Sequence, residues 1–343
     1  MITDLPRHIL IDIFSKLPAK SIGKCRCLGK KWRTLLSSFQ LIETHLNRQA
    51  GHQHLLVIES RSLRLITTNG TEAVSQELQF PNIWIEIVGS CDGLILLINE
   101  DNRKMLLNPI TLEHVKIPNS PPGFTKGGIR MHGFGYDIFA DDYKIVTLSY
   151  YNDISYGTSV DVYSVRRGVW KRVENSPYDP IDGLFCGAFV NGAIHWFAIG
   201  RKSGCKPVIV AFNLAHEVFD EIPAPSDVDV GNFVLNKLGV LGDRLFMIDT
   251  SSHNRADVWI MEKYGVKDSW TKFCIEVEYD LHLVKPLCCI GDEEVLFLIK
   301  RAHSIVYNRK AGTLRDMIVD GAPARFSAGC AFVESLMPSS RLC

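Results

Sequence analysis

The side chains able to do chemistry in this 343-residue chain fall into a few small groups, and spacing decides what each can do. Asp141-Asp142 pairs two carboxylates, the raw material of general acid–base work. The pair sits at the tip of a repeated hairpin pattern, so turn formation is its expected role. His195 is enclosed by Ala193-Ile194 and Trp196-Phe197-Ala198 and reads as a satisfied core histidine. Cys25-Arg-Cys27 and Cys288-Cys289 have neither zinc-ligand spacing nor a matching second pair, so packing is expected and no metal. His45, His52 and His54 occupy a polar stretch, where a solvated role is expected. Gly133-Phe-Gly135 is followed by neither Gly-Lys-Ser/Thr nor a helix, which excludes a phosphate loop. No nucleophile motif or triad spacing is visible, and neither catalytic residues nor a cofactor is expected.

Whole-chain properties narrow the class further. The chain is 46% hydrophobic and 22% charged, ordinary for a soluble globular protein. No stretch approaches the roughly 18 apolar residues of a spanning helix, so no membrane role is expected. The opening Met1-Ile-Thr-Asp-Leu-Pro6 lacks a basic region before an apolar core, and the final Cys343 is not placed for prenylation. Ten cysteines are too sparse for a disulfide scaffold. A reducing compartment, cytoplasm or nucleus, fits, and Asn69-Gly-Thr71 is then a turn. The net charge of zero hides an asymmetry: residues 1–50 carry 9 basic and 3 acidic residues. Between Ser15 and Ile42 there are seven basic residues and no acidic one, which favours an acidic partner. Apart from Trp32 that run lacks interleaved aromatics, so nucleic acid is not the expected partner.

Two periodicities organise the chain. Ile9, Leu10, Ile13, Phe14 and Leu17 fall on one face of a helix that Pro18 stops. Ser21 offers an N-cap to a second helix carrying Ile22, Cys25 and Leu28. Gly29 breaks it, and Lys30–Ser38 forms a third with Trp32, Leu35 and Leu36 on its apolar side. Three short helices in about 40 residues cannot enclose a self-sufficient core. Their apolar side chains therefore dock on the rest of the chain or wait for a partner.

From about residue 54 the pattern becomes short alternating runs between Gly, Asn, Asp and Pro. Turn anchors Gly93, Asp142, Gly192, Gly242 and Glu293 recur at spacings of 49, 50, 50 and 51 residues. Each is followed by a second hairpin, whose rising strands carry Leu106-Leu-Asn108, Val162-Tyr-Ser164, Ala211-Phe-Asn213, Val258-Trp-Ile260 and Val306-Tyr-Asn308. Four strands per period of this length are the signature of propeller blades. At the ends, Leu55–Ile58, Leu63–Ile66 and Leu78–Phe80 lack an innermost strand, while Cys330–Ser335 matches an innermost strand with no blade to follow. Joining them closes the ring at six blades and leaves no unpaired inner edge.

Several residues carry a family resemblance. Leu5-Pro6, Leu17-Pro18 before Lys20-Ser21, Cys25-Arg26, and Lys30-x-Trp32 ahead of Leu35 closely resemble an F-box. Gly89-Ser-Cys-Asp-Gly-Leu94 with Leu107-Asn-Pro109, Gly133–Asp137 with Asp141-Asp-Tyr-Lys144, Val190–Trp196, and Val258–Gly265 with Ser269-Trp270 are similar to the F-box-associated domain of plant F-box proteins. Gly29 and Phe39 depart from the usual F-box residues, and the double glycine of kelch repeats is missing. The resemblance implies an all-α F-box of three helices at 1–46, a linker at 47–54, an all-β six-bladed propeller at 55–335 and a tail at 336–343. It also implies a non-catalytic substrate receptor of a Skp–cullin–F-box ubiquitin ligase. The partners would be a Skp-family adaptor, a cullin scaffold reached through it, and a target protein held by the propeller. Carried over residue by residue, Leu5, Pro6, Ile9, Leu10, Ile13, Leu17, Pro18, Ile22, Cys25, Leu28 and Trp32 face the adaptor. The target-binding loops would be among Gly123–Gly128, Tyr150–Gly157, Gly200–Cys205 and Thr250–Arg255. An adaptor-binding protein without a degradative role and a propeller enzyme are the competing classes.

Overall fold

The computed structural model describes residues 5–49, 53–69, 72–120, 129–150, 157–181, 186–200, 206–226, 236–252, 255–276, 285–290, 293–299, 303–317, 319–320 and 328–339. Four helices come first: α1 (Arg7–Phe14), α2 (Ala19–Arg26), α3 (Lys30–Leu36) and α4 (Phe39–Gln49). The fourth extends the helical region beyond the three expected. Leu41, Ile42 and His45 form its buried face, while Glu43, Asn47 and Arg48 face outward and give the stretch its polar look. His45 is therefore a correction: it is 0% exposed rather than solvated, and its ring Nε2 lies 3.0 Å from the Leu17 carbonyl. His52 lies outside the described residues, and His54 is half-buried in the first strand.

The remainder is six sheets, the six blades of a β-propeller arrangement. The first contains β1 (Gln53–Glu59), β2 (Ser62–Asn69), β3 (Glu72–Glu77), β25 (Val319–Asp320) and β26 (Ala328–Val333), in the order β25-β3-β2-β1-β26. As expected, the C-terminal strand completes this blade: β26 runs antiparallel to β1, with Gln53 opposite Val333 and Ile58 opposite Ala328. The third strand was expected at Leu78–Phe80 and lies instead at Glu72–Glu77. An outer strand faces water, so its residues need not be apolar.

The other five blades repeat one antiparallel pattern. The second is β4 (Trp84–Cys91), β5 (Leu94–Asn99), β6 (Lys104–Leu107) and β7 (His114–Ile117). The third is β8 (Ile129–Asp137), β9 (Asp142–Tyr150), β10 (Thr158–Ser164) and β11 (Val169–Arg172). In the fourth, β14 (Ala193–Gly200) carries two short partners, β12 (Tyr178–Pro180) and β13 (Ala188–Val190), then β15 (Lys206–Asn213) and β16 (Val218–Ile222). The fifth is β17 (Asn236–Leu241), β18 (Arg244–Ser252), β19 (Arg255–Met261) and β20 (Trp270–Glu276). The sixth is β21 (Lys285–Ile290), β22 (Glu294–Ile299), β23 (His303–Asn308) and β24 (Thr313–Met317).

The chain divides into two compact units, one holding the helices with the first two blades and the other holding the remaining four. In the second unit, Met131, Val146, Trp196 and Phe212 pack between the third and fourth blades. Phe197, Met247 and Trp259 join the fourth to the fifth, and Phe246, Val258, Val295 and Phe297 join the fifth to the sixth.

Turn chemistry explains why the repeat is legible. Asn108 Oδ1 accepts from the N–H groups of Ile110 and Thr111 at 3.0 and 3.2 Å, and Asn213 and Asn308 act alike in their own blades. Each thus builds the turn after its third strand. Asp92-Gly93 and Asn191-Gly192 both have two consecutive positive φ angles, the backbone of a type I′ hairpin.

Gly93 and Gly192 share that conformation, with φ of 79° and 74°, but not their surroundings. A Cβ at Gly93 would sit 2.2 Å from Ser335 Cβ and 2.7 Å from the Val333 oxygen, whereas nothing lies within 4 Å at Gly192. Gly192→Ala should therefore cost about 1–2 kcal/mol for the backbone alone. Gly93→Ala should cost roughly a further 1–3 kcal/mol from overpacking. Denaturant titration of the two variants checks this, and equal losses would contradict the close approach of residues 333–335.

Candidate partner-binding surface on the helices

Helix α1 has two apolar sides. Leu10, Ile11 and Phe14 turn inward, while Ile9 and Ile13, one turn apart, are 39% and 43% exposed. Leu5, 39% exposed, continues that outer stripe past the helix start at Pro6. Proline suits this position because the first N–H groups of a helix have no internal partner. Leu28, at the junction of α2 and α3, is 70% exposed. Gly29 follows with φ 150° as the N-cap of α3, a conformation the more usual Ser or Cys would resist.

Beneath the stripe the helices have their own core: Leu10, Ile11, Phe14, Ala19, Ile22, Leu36, Leu41 and Ile42. Phe14 and Trp32 meet edge to face at 5.3 Å. Trp32 and Leu35 are half-buried, and with Leu5, Arg7, Leu10 and Lys31 they line an open cavity of about 220 Å³. Of the eleven positions assigned to partner contact, Leu5, Pro6, Ile9, Ile13, Pro18 and Leu28 are exposed, and Leu17, Cys25 and Trp32 are half-buried. Leu10 and Ile22 are buried, at 5% and 0% exposure, Leu10 against that cavity and Ile22 within the helical core. A wide apolar stripe on a helix has an inner and an outer edge, and periodicity alone does not tell them apart.

Arg7, Lys16, Lys20, Lys24, Lys30, Lys31 and Arg33 are exposed around this face. Arg26 has a different job. Its Nε and Nη2 donate to the Leu36 carbonyl at 3.1 and 2.9 Å, capping the C-terminus of α3. Arg48 of α4 reaches Asp12 Oδ1 at 2.6 Å and the Asp12 carbonyl at 2.8 Å, tying α4 to α1. Hydrogen bonds from Lys16 and Arg48 hold the Asp12 carboxyl below its usual range. Neither contact leaves a local sequence signal.

The N-terminus of α2 differs from expectation. Pro18 is its N-cap and offers no side-chain bond, while Ser21 lies within the first turn. The free Ala19 N–H donates instead to Glu334 Oε1 at 2.6 Å. Next to Glu334, Leu336 is 0% exposed and belongs to the helical core, with Met337 and Ile110 packed against it.

The other candidate groups are absorbed into structure. Asp142 Oδ1 accepts from the Arg166 N–H at 2.8 Å and Oδ2 from the Ser164 hydroxyl, so it builds a turn, while Asp141 pairs with Arg166 at 3.0 Å. His195 is 0% exposed; its Nδ1–H donates to the Ala188 carbonyl at 2.9 Å, and Nε2 accepts from the Tyr264 hydroxyl at 2.7 Å. Among the described residues no group of three or more His, Cys, Asp or Glu is placed to hold a metal. The candidate loops at 123–128, 151–156, 201–205 and 253–254 lie outside the described residues.

Comparison with known proteins gives these surfaces a context. Residues 2–44 match the F-box domain and residues 50–338 the F-box associated beta propeller domain. The chain is 30% identical to the F-box protein CPR1 of Arabidopsis thaliana over 364 residues, covering 94% of this chain and 86% of that one. It is 27% identical to the F-box/kelch-repeat protein At3g23880 of the same plant, covering 90% and 89%. The F-box/WD-40 repeat-containing protein 1, also from Arabidopsis thaliana, is 28% identical, covering 81% and 70%.

Burial holds the His195 pKa down at about 4, against an ordinary 6.5, and lowers His45 in the same direction. The unfolded rings take up protons first, so the neutral buried rings contribute fully above pH 6.5. That contribution drains away as pH falls towards 4. Urea titration should show wild type losing on the order of 2 kcal/mol more than His195→Gln between pH 7 and pH 5. An identical pH slope in the variant would contradict the burial assignment.

Proposed function

The chain belongs to the F-box proteins that carry an F-box-associated β-propeller domain, and on that premise we propose that it is the substrate-recognition subunit of a Skp–cullin–F-box ubiquitin ligase. The observation that supports this most is the stripe of Leu5, Ile9 and Ile13, with Leu28, left exposed on helices whose core is already filled. A surface of that kind, rimmed by lysine and arginine, suits an apolar groove on an acidic partner. A Skp-family adaptor fills that role and connects the chain to a cullin scaffold.

The chain then contributes geometry and no bond chemistry. Propeller loops hold a target protein so that its lysines meet a ubiquitin thioester at high effective concentration. Degradation of the target by the proteasome follows, in the cytoplasm or nucleus. Accumulation of a captured target when the cullin is inhibited separates this reading from adaptor binding without degradation.

Adaptor capture by the full chain tests the surface. Ile9→Asp with Ile13→Asp should abolish it, and each single alanine should cost about 1–2 kcal/mol of binding. Phe139→Asp, at an apolar side chain on a turn of the third blade that is even more exposed, at 82%, should change nothing. Full capture by the Ile9/Ile13 double variant, folded by circular dichroism, would overturn the assignment.

A further inference from the structure

We propose that residues 334–339 form a strap that locks the helical module to the first two blades, with Glu334 as its positioning residue, so that ubiquitin transfer proceeds at a fixed geometry. This rests on the ligase reading above and goes beyond it by naming what sets the receptor's reach.

The strap does no work for the sheet. Pairing of β26 with β1 ends at Val333, opposite Gln53. Yet the residues that follow are closely held: Ser335, Leu336 and Ser339 are all 0% exposed. Their contacts go to two places. Towards the second blade, Asn108 Nδ2 donates to the carbonyls of Ser335 and Met337 at 3.0 and 2.9 Å, and Ser335 lies against Gly93. Towards the helices, Glu334 accepts the Ala19 N–H and Leu336 enters the helical core. A carboxylate suits the start of α2, where unpaired N–H groups and the helix dipole concentrate positive charge.

The strap adds an attachment to the covalent joint and to the packing of Ile110, from the turn after β6, against the helical core. Covalently, the module is joined to the blade only where α4 ends at Gln49 and β1 begins at Gln53. One short connection permits pivoting. Contacts supplied from the opposite end of the chain, beside that of Ile110, remove that freedom. Pivoting would spread a bound target over a larger volume and dilute its lysines at the thioester. Glu334 acts through the module it orients, by the bond it accepts from the Ala19 N–H.

The test uses the full chain with its adaptor, carrying fluorophores at Gln40 on α4 and Val74 on β3, both exposed. Wild type and Glu334→Gln, whose amide oxygen still accepts the Ala19 N–H, should give one narrow distance distribution. Glu334→Ala and Leu336→Ala should each broaden it, with adaptor capture unchanged. Ubiquitin transfer to the chain's own lysines, used as the probe acceptor, should fall several-fold at those lysines favoured in wild type and be restored in Glu334→Gln. A broad distribution in wild type, no broadening in Glu334→Ala, or broadening with transfer unchanged would each overturn the strap. Loss of adaptor capture by wild type itself would instead overturn the ligase reading, while the distance measurement would still decide the strap.

Discussion

The first blade depends on a pairing between the two ends of the β region. β1 and β2 form a hairpin early in the chain, but the inner edge of β1 stays open until β26 arrives from the far end. An open inner edge exposes a row of unpaired N–H and C=O groups. Closing it costs chain entropy that rises only slowly with loop length, so a partner this distant in sequence is affordable. Once β26 is in place, the residues just beyond it are delivered to the helices without further search. The same pairing that completes the blade thus brings Glu334 to Ala19 and Leu336 to Leu10 and Ile22.

Size explains the double character of the helices. Four short helices cannot bury all their apolar surface in one another. Part of the shortfall is met internally by Leu336, Met337 and Ile110. Fully burying a leucine contributes about 1.5–3 kcal/mol, a substantial share of the stability of so small a module. Leu5, Ile9 and Ile13 line up, and basic side chains frame them. Leu28 and Phe39 stay exposed as well. Helices sealed entirely against their own chain would not leave a continuous stripe of this kind.

The sequence disclosed the blades because the hairpins rest on local chemistry. Asn108, Asn213 and Asn308 bond to N–H groups two and three residues ahead, and Asp92-Gly93 and Asn191-Gly192 adopt positive φ. Such signals are complete within a few residues. Where structure departs from the sequence reading, the deciding contact is distant or absent. β3 lies towards the outside of its blade, between β2 and the two-residue β25, and Val74, Gln76 and Glu77 on it are exposed, so apolar content misplaced it. His45 looked solvated because its neighbours are polar, yet its own face of α4 is buried. Ser21 was the reasonable local cap for α2, but the group that takes its place, Glu334, lies 315 residues from Ala19. No periodicity carries that information.

Asp142 and His195, whose types suit acid–base chemistry, are bound up in the fold. Asp142 spends both oxygens on the turn at Ser164 and Arg166. His195 has a partner on each ring nitrogen and is held neutral by burial, and the Tyr264 hydroxyl that it accepts from is itself pushed up to about 12 by burial and the charge of Asp220. These side chains are consumed in fixing blade geometry. The helical surface differs from them: there Leu5, Ile9, Ile13 and Leu28 stay exposed beside a basic rim.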